Sequence, residues 1–249
     1  MRRKPLTRLS QRPGPVWLLD LDNTLHDAGT HIMPAINRAM TQWVAQHLAL
    51  DEEEASALRV AYWRRYGATL LGMIAHHGID PHAFLRDTHP VRELRSHVRP
   101  QPALAAALRR LPGTRVILTN APQHYAHAVL RSARLHRVVT QVVAVEQMRF
   151  AGAFRPKPSL AMLTMVCARL GVSARRCVLV EDSPENLHAA RRLGMRTVLV
   201  LEHSWSGGMH RPPSAPGGRQ RPSSGPGSRV HRRVRSPLHL PRSGAVAGA

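Results

Sequence analysis

The sequence predicts an α/β fold, a doubly wound parallel sheet, with a helical cap inserted after the first strand. Five short apolar runs, at residues 16–19, 116–118, 142–145, 178–180 and 197–201, lack polar alternation and read as strands buried on both faces. Amphipathic stretches at 121–135, 159–170 and 186–193 separate the last four, and 103–111 leads into the second. Strands and helices alternating at this spacing build a parallel sheet with helices on both faces. Ligands bind such sheets beyond the carboxyl ends of the strands.

The long interval between the first and second runs contains no strand-like segment. Helical periodicity covers residues 34–48, 52–66, 69–76 and 81–89, with breaks at Gly67, Gly78 and Pro90. Asp51, followed by Glu52, Glu53 and Glu54, is an acidic helix start that suits the helix dipole. The expected division is a disordered basic N-terminus at 1–15 and an α/β core from 16–28 and 100–202. The cap takes 29–99, and a disordered tail takes 203–249.

Hydrophobic content of 43% over 249 residues supports a folded core of this kind. The net charge of +21 is concentrated at the ends. Arg2, Arg3, Lys4, Arg8 and Arg12 precede the first strand with no acid among them. Beyond residue 203 lie Arg211, Arg219, Arg221, Arg229, Arg232, Arg233, Arg235 and Arg242, again without an acid. This last stretch turns abruptly to Pro, Gly, Ser and Arg, too poor in apolar surface to offset the entropy of ordering. Arginine-rich tails attract phosphate backbones by counterion release. Here Trp205 is the one aromatic residue available for base stacking, so no specific nucleic-acid partner is expected. Cys167 and Cys177 lack metal-ligand spacing and read as reduced core thiols. The apolar run 16–19 is too short for a signal-peptide core or a membrane span, so a cytoplasmic protein without membrane contact is expected.

Chemistry concentrates at the predicted strand ends. The run Trp17-Leu18-Leu19-Asp20-Leu21-Asp22-Asn23-Thr24 finishes a buried strand with two carboxylates one residue apart. Two such anions repel, and a divalent cation resolves the conflict. An aspartate beside a metal can attack phosphorus, which makes Asp20 the candidate nucleophile and Asp22 the candidate general acid–base. Thr119-Asn120 ends the second strand, where a hydroxyl and backbone amides can hold phosphate oxygens. Lys157, stiffened between Pro156 and Pro158, can neutralise clustered carboxylates and phosphoryl charge. Glu181-Asp182 is a second acidic strand end and the natural metal partner. Plainer readings exist for each: a strand-ending turn at Asp22, a common strand terminus at Thr119, an exposed loop lysine, and a helix N-cap at Asp182 or Ser183.

Together these four pieces resemble the haloacid dehalogenase-like superfamily, in order and in strand position across residues 16–201. The resemblance implies an aspartyl-phosphate on Asp20, acid–base work by Asp22, and phosphate orientation by Thr119 and Lys157. It implies Mg²⁺ held by Asp20, the backbone carbonyl of Asp22, and Asp182, with Glu181 one layer further out. An acid at position 22 argues against dehalogenase activity. Asn186 stands where the late motif often carries a second acid.

A finer resemblance lies in Leu19-Asp20-Leu21-Asp22-Asn23-Thr24-Leu25-His26, in the segment from Tyr62 to Met73, and in His77-Gly78-Ile79-Asp80-Pro81. These look like the pyrimidine 5′-nucleotidase branch and imply hydrolysis of UMP or CMP. Ala68 replaces a usual Thr, and Ala121 a frequent Gly. Tyr62 and Tyr66 could stack on a base, Arg64 or Arg65 could contact a phosphate or carbonyl oxygen, and Asn120 completes the expected substrate set. The alternative is another small phosphate ester such as a phosphosugar, phosphoglycolate or pyridoxal phosphate.

Overall fold

The computed structural model describes residues 6–150, 152–202 and 231–240. Six strands form one parallel sheet: β1 (Val16–Leu19), β2 (Thr114–Leu118), β3 (Gln141–Val143), β6 (Cys177–Glu181), β7 (Arg196–Val200) and β8 (Arg232–Val234). Their spatial order is β3-β2-β1-β6-β7-β8, so β1 is central. A small antiparallel pair, β4 (Arg149–Phe150) with β5 (Ala153–Phe154), precedes the Lys157 loop.

Alternation along the strands divides the core into two layers. Trp17, Leu19, Ile117, Val180 and Val198 face one cluster, with α6 (Pro102–Arg109) and α7 (Gln123–Ser132). Leu18, Val116, Leu118 and Leu179 face the other, with α8 (Leu160–Leu170) and α9 (Pro184–Arg192). Cys167 and Cys177 lie in this second layer as free thiols with Sγ atoms 3.9 Å apart.

Between β1 and β2 the chain forms α1 (Ile32–Leu48), α2 (Glu52–Tyr66), α3 (Thr69–His77), α4 (Pro81–Asp87) and α5 (Val91–Leu94). The acidic start of α2 is a reciprocal cap: Asp51 accepts from the Glu54 backbone amide, and Glu54 accepts from that of Asp51. Trp43, Val44, Leu70, Met73, Phe84 and Leu85 form a separate apolar cluster, joined by Val145 and Phe154 from the core loops. The cap helices therefore pack on loops at the carboxyl ends of the strands.

One turn fixes the approach of β2 to β1. Gly113 has φ +82°, and a Cβ there would stand 2.0 Å from the Pro15 carbonyl oxygen. That same oxygen accepts from the Thr114 amide at 3.0 Å. Gly113→Ala is expected to lower stability by ~2 kcal/mol or more, a fall in melting temperature of about 4–8 °C in a thermal scan.

The described stretches at the two ends, 6–15 and 231–240, depart from the expectation of disorder. Leu9 is fully buried and its amide donates to the Leu170 carbonyl at 2.6 Å, while Thr7 exchanges hydrogen bonds with the Gln141 side chain. In the tail, β8 pairs in parallel with β7, and Val234 and Leu240 are buried in the core. A handful of apolar residues, Leu9 at one end and Val234 and Leu240 at the other, anchors segments whose average composition argues against order. Residues 1–5, 203–230 and 241–249 lie outside the described residues. No described helix is long and apolar enough to cross a membrane.

Candidate active site

Strand register assembles the site. Leu19 pairs with Val180 on one side and Ile117 on the other, so Asp20 is level with Glu181, and Thr119 stands one residue beyond. The Asp20 amide continues the ladder by donating to the Val180 carbonyl at 3.0 Å. Its side chain, 8% exposed, is held at both oxygens. Lys157 Nζ donates to Oδ1 at 2.5 Å, and the Thr24 hydroxyl donates to Oδ2 at 3.0 Å. Thr24 also lies 3.3 Å from Asp182 Oδ1.

The loop after Asp20 turns on Asn23, whose φ of 60° is tolerated by asparagine. Asn23 Oδ1 accepts from the amides of Ala28 and Gly29, which closes the loop and places Thr24 under Asp20. Asp22 points elsewhere. Its Oδ1 accepts from the Tyr125 hydroxyl at 2.6 Å and pairs with His26 Nε2 at 2.9 Å.

Lys157 is buried and also donates to Glu181 Oε1 at 2.7 Å. Asn120 braces this loop: its Oδ1 accepts from the Lys157 amide at 2.9 Å, and its Nδ2 donates to the Lys157 carbonyl at 3.2 Å. Its carboxamide thus holds the lysine, a different use from the substrate contact expected of it. Glu181 takes two further bonds: Oε1 also accepts from Asn186 Nδ2, and Oε2 accepts from the Ser183 amide. Asn186 therefore orients a carboxylate by a hydrogen bond and brings no charge. Thr119 is buried, with its Oγ1 accepting from the Ala121 amide at 3.1 Å.

The electrostatics follow from burial. Desolvation and the Glu181 carboxylate push the Asp20 carboxyl up to about 7, against the pull of Lys157. Desolvation, Glu181 and Asp20 push Asp182 up to about 8. Burial disfavours the Lys157 cation, but Asp20 and Glu181 outweigh it and hold the ammonium above its ordinary range. Asp22 is the reverse case: burial opposes its charge, yet the bonds from His26 and Tyr125 hold the carboxyl below its usual value.

One lysine thus faces three carboxylates. Ligand oxygens of Asp20, Glu181 and Asp182 all lie within 4.8 Å of one another. Hard oxygen donors and surplus negative charge are the chemistry that holds a divalent cation. Asp182, with only the Thr24 hydroxyl 3.3 Å away among these donors, is the least engaged of the three, and the cluster could bind a metal.

The cap residues are placed differently. The Tyr62 and Tyr66 hydroxyls are bonded to His77 and His76 at the end of α3, at 2.7 and 2.5 Å. The Tyr62 ring covers Gly72, where a Cβ would come within 2.3 Å of it. Arg64 is exposed. No hydrogen bond, ion pair or ring contact among the described residues ties Tyr62, Arg64 or Tyr66 to the carboxylate cluster. Aromatic residues four apart on α2 pack on the helix beside them. Conversely, Tyr125 was read only as part of an amphipathic helix, because its partner lies 103 residues away. His26 carried a signal, standing four residues after Asp22.

Comparison with known proteins closes the assignment. Yeast (Saccharomyces cerevisiae) phosphate metabolism protein 8 is 22% identical over 199 residues, 75% of this chain. The matched stretch is 61% of that relative's length, so the chain spans less than two thirds of it. CbbY from Rhodobacter sphaeroides, solved with phosphate, superposes with TM-score 0.55 at 17% identity, covering 92% of this chain and 96% of that one. A phosphatase from Thermococcus onnurineus gives 0.54 at 18%, with the same coverage. These structures share the fold. A family profile, that of the haloacid dehalogenase-like hydrolases, matches residues 16–194, well over half of the chain. With Asp20, Lys157 and the acidic pair converging at the carboxyl ends of a parallel sheet, the chain belongs to the haloacid dehalogenase-like hydrolases.

Proposed function

We propose that the protein is a Mg²⁺-dependent phosphomonoesterase that hydrolyses pyrimidine nucleoside 5′-monophosphates, UMP and CMP, to nucleoside and phosphate. The observation that carries this reading is Asp20 with both oxygens oriented, by Lys157 and by Thr24, beside a second carboxylate held separately. A buried, oriented carboxylate is a preorganised nucleophile. Asp20 attacks phosphorus and forms an aspartyl-phosphate while the ester oxygen departs with a proton from Asp22. Water then attacks phosphorus, Asp20 is released, and Asp22 recovers a proton. Lys157 and Thr119 orient the phosphoryl oxygens, and the Lys157 charge offsets the negative charge gathered there. Asp20, the Asp22 backbone carbonyl and Asp182 would hold Mg²⁺, which when bound supplies Lewis-acid stabilisation of phosphoryl charge.

Support for the pyrimidine substrate is the resemblance across residues 62–73 and 77–81, which fall on α2, α3 and the start of α4. A second reading, a phosphatase for another small ester, draws on the tyrosine hydroxyls, since both are already bonded to histidines. Initial rates on UMP, CMP, AMP and several sugar phosphates, with Mg²⁺ and with EDTA, separate the two. UMP and CMP should lead in kcat/KM by about 10-fold or more. Equal turnover of UMP and sugar phosphates overturns the pyrimidine reading.

A further inference from the structure

Asp22 is held asymmetrically. Oδ1 takes both the Tyr125 hydroxyl at 2.6 Å and His26 Nε2 at 2.9 Å, and no described residue bonds to Oδ2. The Asp22 side chain keeps 16% exposure, against none for Tyr125, and Oδ2 is the oxygen that neither donor takes. Each donor is itself fixed. The Tyr125 ring sits in the α7 face of the core cluster with Leu21, Leu25 and Ile117. His26 is tied to the same loop through the Asn23 amide, which donates to its carbonyl at 2.9 Å. His26 Nδ1 is buried without a hydrogen-bond partner, and Nε2 is the ring nitrogen that faces Asp22.

The Tyr125 ring is also braced from the cap side. His89, in the segment returning from α4, meets it edge-on with centroids 5.8 Å apart. His89 is buried; desolvation, then the neighbouring His124, bring its imidazole down to about 4, so it packs there as a neutral ring. Desolvation and the Asp22 charge raise the Tyr125 phenol well above its ordinary value, and the group remains a donor.

We propose that Tyr125 is a positioning residue that occupies Oδ1 of Asp22, so that the catalytic proton passes only through Oδ2. The proposal rests on the phosphomonoesterase reading. In the first step the ester P–O bond breaks as Asp20 bonds to phosphorus, and the leaving oxygen keeps the electron pair and takes the proton from Oδ2. In the second, water bonds to phosphorus, the Asp20–P bond breaks, and Oδ2 accepts the proton of the water. Tyr125 keeps its own proton throughout. A carboxylate free to rotate would present either oxygen, and the aligned fraction would fall.

The test is Tyr125→Phe, read as kcat/KM on two esters. An alkyl phosphate such as UMP needs a proton on its leaving oxygen, whereas p-nitrophenyl phosphate departs as a stable phenolate. The variant should lose about 10-fold on UMP and less than about 3-fold on p-nitrophenyl phosphate. In an Asp22→Asn background, the same change should leave the ratio between esters unmoved. Equal loss on both esters, no loss on either, or an undiminished effect in the Asp22→Asn background overturns the proposal while leaving the phosphatase reading intact. If Tyr125→Phe melts early, His26→Ala on the same two esters removes the other Oδ1 donor, and equal loss there also counts against the clamp. A wild-type protein inert towards both esters overturns the phosphatase reading itself, and this proposal with it.

Discussion

Asp20→Asn is expected to remove phosphatase turnover by ~10³-fold or more, because an amide cannot carry the phosphoryl group. The fold should survive. Burial and Glu181 already disfavour the Asp20 anion, pushing its carboxyl up to about 7, so a neutral side chain of the same shape relieves repulsion. Lys157 keeps Glu181 as its partner, and the amide oxygen can still accept from Lys157 or Thr24. The expected pair of results is initial rates at background level and an unchanged or raised melting temperature without metal at pH 8. Retained turnover in the variant would refute the covalent mechanism; lost turnover with a collapsed fold would show that Asp20 is needed for structure.

Divalent cation should stabilise the protein, and more strongly at higher pH. The sign follows from the direction of the shifts. A carboxyl whose value is raised on folding binds its proton more tightly in the folded state. Its favourable contribution is complete below the ordinary value of 3.8 and is lost as pH rises, through about 7 for Asp20 and about 8 for Asp182. In EDTA the melting temperature should therefore fall between pH 6 and pH 8. Mg²⁺ at 100 times its dissociation constant adds ~2.7 kcal/mol, or about 5–11 °C for a chain of this size. That increment should shrink as pH drops towards 6 and protons compete for the same oxygens. Calorimetry at the two pH values, with Mg²⁺ and with EDTA, reads it directly. Identical melting with and without Mg²⁺ at pH 8 would remove the cluster of Asp20, Glu181 and Asp182 from consideration as a metal centre.

What the sequence made legible is what local pattern encodes. Uninterrupted apolar runs placed five of the six strands of the parallel sheet, and helical period placed α1 to α4 to within a few residues; β8 and α5 are too short to show in such a pattern. The end of each run located Asp20, Thr119 and Glu181, because a buried strand carries polar groups only where it emerges. Partners across the fold were hidden. Tyr125 reads as one more apolar position on α7, and only the packing of that helix into the same core cluster as Leu19 and Ile117 brings its hydroxyl to Asp22. Asn120 sits next to Thr119 at a strand end and was assigned to substrate, whereas the loop that returns at Lys157 claims both its polar atoms. Glu181 and Asp182 are adjacent and alike in sequence. Three donors on Glu181 against one hydroxyl at Asp182 distinguish their surroundings, and those donors come from the Lys157 loop, the turn after β6 and α9.

The outermost strand has a use for its composition. An open sheet ends in a row of unpaired amides and carbonyls that invites another chain to add on. Among the described residues the sheet has two such edges, β3 and β8, and at β8 Arg232 and Arg233 are exposed and Arg235 follows directly. Two copies meeting seam to seam would bring like guanidinium groups together and repel. Arg232 and Arg233 thus set charge along that edge while Val234 keeps its place beneath.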